Sequence, residues 1–270
     1  MKGRLKTVVC ALLVCTCLTA CQDSASLKKQ TSEKKEYVAE ENIVNVLIEP
    51  DTYKDQWVKL QGKITQGPDV DGKTGYMVQY VSEKNRYFFV QTKEDLGYQV
   101  GDYIKVTGQV DEEATMKNAL GEDISLASIC NAKVKDGSYI DIEVPTYRTN
   151  KPNEKSQTID KVKVTVSKVE YANEETRVYV TVDNKSSQDL IYDANYIIIQ
   201  QDDSVVYSDV LSSSYENGNY PTLDGTIAAN SKSSGIVVFP VISSERDCDV
   251  VLSLYTTSYS SLDFTIHVNA

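Results

Sequence analysis

The chain has 270 residues, 41% of them hydrophobic and 25% charged, enough for two ordinary domains with cores of their own. Its 39 acidic residues outnumber 28 basic ones, for a formal charge of −11. That charge repels phosphate backbones and anionic lipid headgroups, so it argues against non-specific nucleic-acid binding and suits a neutral or positively charged partner.

At the N-terminus, Lys2, Arg4 and Lys6 precede an apolar run from Val8 to Leu18, and the small residues Thr19 and Ala20 stand just before Cys21. The run is about a dozen residues, short of the roughly 20 that cross a bilayer as a helix. An ordinary cleaved signal peptide is one reading. The order Leu18-Thr19-Ala20-Cys21, followed at once by polar residues, favours lipidation. It resembles the lipobox of bacterial lipoproteins. The resemblance implies removal of residues 1–20, a thioether-linked diacylglyceryl group on Cys21, and a place on the extracytoplasmic face of a Gram-positive-type cell membrane. Two acyl chains anchor firmly where one binds only marginally. Loss of Lys2, Arg4 and Lys6 takes the formal charge to −14. Cys10, Cys15 and Cys17 leave with the signal, so only Cys130 and Cys248 remain in the body. They fall in separate predicted domains, and two inert thiols are favoured over a disulfide.

Residues 21–41 are rich in Ser, Lys, Gln and Glu and read as a disordered tether. Ile43, Val46 and Leu47 recur at helical spacing, and Pro50 ends the helix they predict. Val58, Leu60, Gly62 and Ile64 alternate with polar residues as in a half-buried strand. Further strands are expected at Tyr76 to Val81, Arg86 to Thr92, Tyr103 to Val110 and Ile124 to Val134. Five strands with glycines at the bends predict a small closed barrel over 42–145. Asp55 to Ile64 and Gly101 to Val110 resemble the first and fourth strands of OB-fold domains in Gram-positive lipoproteins, and Leu120-Gly121 and Asn131-Ala132 match the loop and tail that follow.

Residues 146–155 are polar, include Pro152 and follow Pro145, and read as a linker. From 156 to 270 strands resume at Val162, Val178, Tyr196, Val205, Gly235, Val250 and Leu262, with turn signals between them. That spacing predicts an immunoglobulin-like antiparallel β-sandwich, without the Cys…Trp…Cys pin of true immunoglobulin domains. Val178 to Asn184 and Ser234 to Pro240 resemble an uncharacterised Ig-like family of Gram-positive lipoproteins, akin to a mycobacterial secreted immunogenic antigen. The expected fold class is therefore all-β: an OB-like barrel and an Ig-like sandwich behind a signal peptide (1–20) and tether.

Motifs that carry chemistry are few in this sequence. Gly67 to Thr74 fits the letters of a phosphate-binding loop, but the residues after it read as a strand where a helix N-terminus is needed. Asp69 and Asp71 begin a calcium-loop pattern that fails at Lys73 and Tyr80. His267, the single histidine, has neither a nucleophile elbow nor a second histidine to work with. No metal, no cofactor and no enzyme activity are expected, a carboxylate-based hydrolase being the remote alternative.

The aromatics suggest binding instead. OB barrels bind oligosaccharides or oligonucleotides on their second and third strands and the adjoining loops. Tyr87 and Phe89 share a face there, opposite Phe88. Whether that face is core or surface stays open. Ser212 to Tyr220 is a polar loop of recognition-type composition, with Tyr215 and Tyr220 as candidates. Segment 45–145 has 17 acidic against 11 basic residues, so nucleic acid is an unfavourable partner. The expected role is a non-enzymatic binding or scaffolding module for an envelope polymer or another exported protein. An OB-mediated binder of an oligosaccharide or a single strand is the alternative.

Overall fold

The computed structural model describes residues 35–118 and 120–270; the expected signal peptide, Cys21 and the expected tether up to residue 34 lie outside the described residues. The described chain is all-β, an OB-like barrel followed by an Ig-like antiparallel sandwich. Its first residues are not free of the barrel. Tyr37 forms a parallel bridge with Trp57, closed by Trp57 N–H to Glu36 and Val38 N–H to Trp57, so the end of the expected tether belongs to the barrel.

Helix α1 (Ile43–Ile48) buries Ile43, Val46 and Leu47, the three residues at helical spacing. They join the barrel core, and Pro50 opens a 3₁₀ turn after them. The barrel comprises β1 (Trp57–Gln66), β2 (Asp69–Val70), β3 (Lys73–Tyr80), β4 (Tyr87–Gln91), β5 (Tyr103–Lys117) and β6 (Asp123–Asp136). β1 pairs with β5 and β3, β3 with β4, β4 in parallel with β6, and β6 with β5, so the ring closes. Val58, Leu60, Ile104, Val106 and Phe88 fill it, following the period-two alternation. Closure needs a glycine at 62, where a Cβ would lie 2.0 Å from the Gln79 carbonyl oxygen. The phosphate-loop letters occupy the tight hairpin of β2 and β3, and β3 stands where the helix would have to begin.

Helix α2 (Tyr139–Ile142), capped by the Ser138 hydroxyl, leads into the second body. The expected linker is corrected here: β7 (Thr146–Asn150) lies within it and pairs with β9. Its polar look is that of an edge strand, since alternate side chains face solvent. The sandwich continues with β8 (Ser156–Ile159), β9 (Val162–Ala172), β10 (Thr176–Asn184), β11 (Leu190–Gln201), β12 (Ser204–Tyr207), α3 (Ser214–Asn217), β13 (Thr226–Ile227), β14 (Ser231–Phe239), β15 (Cys248–Thr256) and β16 (Ser261–Val268). One sheet runs β14-β10-β9-β7, with β8 also on β9; the other runs β12-β11-β15-β16, with β13 on β11. Val164, Val166, Val180 and Val182 of the first meet Ile197, Ile199, Leu252 and Phe264 of the second in one core. A register shift opposite Tyr179-Val180 inserts Ser167 as an extra residue in β9. It lets Val166 and Val169, which are not an even number apart, both face inward.

Candidate functional site

Both faces of β4 are core. Phe88 points into the barrel, and Phe89, 1% exposed, points out into a second small core with Val70, Met77, Ala114, Met116 and Leu126. The cause is the length of the β5–β6 hairpin. Past a register shift at Val110 to Glu113, its outer arm delivers Ala114, Met116 and Leu126 onto the outer face of β3 and β4. The face that OB barrels leave open is thus largely roofed by the chain itself, and Phe89 is removed as a ligand contact.

Tyr87 keeps a different position. It packs at the margin of the second core, half-buried, and lines a concavity of about 600 Å³ with Gln66, Asn85, Arg86, Asn118 and Leu120. Leu120 is 84% exposed on the β5–β6 turn. The groove therefore lies between the β1–β2 connection and the β5–β6 turn, and its rim offers one aromatic, one guanidinium and three amide side chains. Gln66, Asn85, Arg86 and Asn118 carry no motif that marks them in the sequence as site residues. The one available signal was position in a turn, that of Asn85 and Arg86 between the aromatic strands β3 and β4.

The Ser212–Tyr220 segment is not an open recognition loop. Together with α2 it covers the outer face of the β14-β10-β9-β7 sheet, where Tyr220, Ile236 and Val238 pack with Tyr139, Ile140, Tyr179 and Tyr215. The Tyr215 hydroxyl accepts from the Val238 N–H at 3.0 Å. Tyr220, 5% exposed, donates to Glu175 at 2.7 Å. Beneath it Arg177, wholly buried, donates to Glu175 (2.8 Å), the Val144 carbonyl (3.0 Å), Glu170 (3.3 Å) and Thr146 (2.5 Å). Ser214 donates to Glu175 at 2.5 Å, and Tyr179 to Glu170 at 2.8 Å.

The electrostatics follow from these contacts. Burial pushes the Tyr220 phenol up, and its bond to Glu175 adds to the rise. Burial alone would raise Glu170 too, but Lys168, Tyr179 and Arg177 outweigh it and hold the carboxyl below its ordinary value. Desolvation opposes the charge on Arg177, yet Tyr220 and Glu175 leave it more firmly protonated than usual. Among the described residues no buried side-chain polar atom lacks a partner. The network is a satisfied internal bolt, and Tyr220 and Tyr215 are part of it.

Cys130 and Cys248 are both unpaired; burial raises the Cys248 thiol to about 11. His267 is exposed on β16 and hydrogen-bonds Asp249 at 2.8 Å across β15. Among the described residues no three His, Cys, Asp or Glu side chains gather as metal ligands, and no helix is long and apolar enough to cross a membrane.

No family model matches the sequence, and no curated protein matches it. Solved structures with a partial likeness include two proteins. One is a functionally unknown protein from Listeria monocytogenes EGD-e, 10% identical over 46% of this chain and 86% of that one, with a TM-score of 0.33. The other is described as a "putative lipoprotein" of Bacillus subtilis, 20% identical over 42% of this chain, with a TM-score of 0.33. The alignment takes in 38% of the Bacillus protein's length.

Proposed function

We propose that this chain is a lipoprotein anchored through Cys21 to the extracytoplasmic face of the membrane, where it binds an uncharged polar polymer without catalysis. The observation that carries the reading is the groove at Tyr87. A half-exposed ring beside Gln66, Asn85, Arg86 and Asn118 suits a sugar ring, which stacks its apolar face on an aromatic and presents hydroxyls to amides. Its position between the first-strand connection and the last hairpin turn is where OB-like barrels take oligosaccharides or single strands. The acidic surplus of the barrel segment favours the former. A glycan array followed by calorimetric titration tests the reading. Saturable binding weakened at least tenfold by Tyr87→Ala supports it, and binding indifferent to that change sinks it. Incorporation of labelled lipid, lost in Cys21→Ala, tests the anchor.

A scaffolding role toward another exported protein has a separate support. Tyr196 and Tyr207 stand 52% and 66% exposed on the outer face of the β12-β11-β15-β16 sheet, with Tyr196 edge-on to Tyr255 at 5.5 Å. Cross-linking on living cells, with and without Tyr207→Ser, tests it.

A further inference from the structure

On the outer face of the barrel the β1, β5 and β6 ladders align lysines that the sequence scatters over 77 positions. Cross-strand rows place Lys59 beside Thr107 and Lys133, Gln61 beside Lys105 and Lys135, and Lys63 beside Tyr103. Every acid of the three strands' shared outer rows is missing: the outward positions of β1 from 57 to 63, of β5 from 103 to 109, and 133 and 135 of β6 carry five lysines and no carboxylate. In a chain whose acids outnumber its bases 39 to 28, that is a concentrated reversal of sign. Lys105 is paired with Asp141 at 3.5 Å. Among the described residues Lys59, Lys133 and Lys135 form no ion pair, and all three are exposed. They border a concavity of about 610 Å³ whose lining includes one carboxylate, that of Glu40.

Two further features bear on what meets this face. Trp57 shares it, half-buried, with the Lys35 ammonium 3.3 Å from its ring centroid, and Lys59 lies 5.2 Å from that of Tyr37. Tryptophan and tyrosine with lysines alongside match the amphipathic chemistry of a lipid headgroup layer. The chain also enters the folded body at this face, through the Tyr37–Trp57 bridge. Fourteen peptide steps separate Lys35 from Cys21, a reach of at most about 50 Å. On the reading that Cys21 carries the lipid, the chain coming from the anchor first meets the barrel at this face.

We propose that the Lys59, Lys105, Lys133 and Lys135 face docks the barrel onto the anionic headgroups of the membrane that holds the anchor. The total charge does not prevent it. Screening confines each interaction to about 8 Å at physiological ionic strength, so acids elsewhere on the body are not felt by the bilayer this face meets. Docking would turn the sandwich and the Tyr87 groove into a defined orientation, with the lipid and the lysines as two weak-to-strong coupled attachments.

Trp57, the single tryptophan, is a built-in reporter. The lipidated full-length protein is reconstituted on phosphatidylcholine vesicles and on vesicles with about 30 mol% phosphatidylglycerol, each with a dansyl-headgroup lipid, and energy transfer from Trp57 is read. Transfer should be greater on the anionic vesicles and should fall in about 0.5 M salt. The triple variant Lys59→Glu, Lys133→Glu, Lys135→Glu should lower the docked-to-free ratio by roughly a hundredfold or more, taking about fivefold per lost lysine. The corresponding arginine variant should retain it, with circular dichroism confirming that both fold. Equal transfer on the two vesicles overturns the proposal. So does saturable binding of a soluble glycerol-phosphate polymer with no difference between vesicles, which would assign the face to an anionic polymer. Failure to float with neutral vesicles counts against the anchor alone, and flotation with anionic vesicles then still reads the lysine face.

Discussion

His267 shows how much a single side chain on an exposed strand can report. Its Nδ1 shares a hydrogen bond with Asp249, and Asp247 lies 3.6 Å from Nε2, so the charged imidazolium is favoured and its pKa sits above the ordinary 6.5. A group whose folded pKa is raised stabilises most below its unfolded value and loses that contribution as pH climbs through the folded one. The effect on stability is small because the pair is solvated. The titration itself is clean, since no other histidine exists. NMR should give a midpoint above 6.5 for His267, moving back toward it in Asp249→Asn; an unmoved midpoint would show that the pair does not form. Tyr215 and Tyr220 teach the opposite lesson. Their loop has the composition of a recognition surface, yet both hydroxyls are engaged in internal hydrogen bonds.

At the level of elements, the long β5–β6 hairpin decides what the barrel can offer. A barrel of this size needs about half of the hairpin's length, and the remainder roofs β3 and β4. Phe89→Ala should therefore cost about 3–5 kcal/mol of stability, as for a buried aromatic in any core. Tyr87→Ala should cost much less while weakening ligand binding. Urea unfolding of the two variants separates them, and a Phe89→Ala protein as stable as the parent would mean the second core is not formed. The lysine face arises at the same scale. Each strand alone reads as an ordinary solvated face, alternating with apolar residues, and only the ladder pairing gathers the charges.

Over the whole molecule, the described residues from Lys35 to Ala270 form one unit, and the join is chemical as well as covalent. Tyr139 of α2 meets Ser214 of α3 at 3.1 Å, and its ring stands edge-on to Tyr103 of β5 on one side and Tyr220 on the other. Arg177 holds the Val144 carbonyl just beyond α2. Arg177→Ala would leave Glu175 buried without its counter-charge, a loss of about 3–5 kcal/mol. Trp57 reports the barrel and far-ultraviolet circular dichroism reports both bodies. The two urea transitions should coincide in the parent and separate in Arg177→Ala, with the sandwich melting first. Coincident transitions in the variant would show that the network does not couple the bodies.

Hydrophobic periodicity by itself determined the all-β class and the main strands, at a spacing of two, and the short helix at 43–48, at spacings of three and four, because burying one face of an element writes itself into nearby residues. It also disposed of the phosphate-loop letters, since Tyr76 to Val81 could not be a helix. Only the tertiary structure decided that β7 replaces a linker, that Phe89 is roofed, that Tyr220 is bolted beneath α2, and that five distant lysines share one face. Those outcomes depend on contacts between residues far apart in the chain, and local pattern carries no record of which strand a side chain will meet.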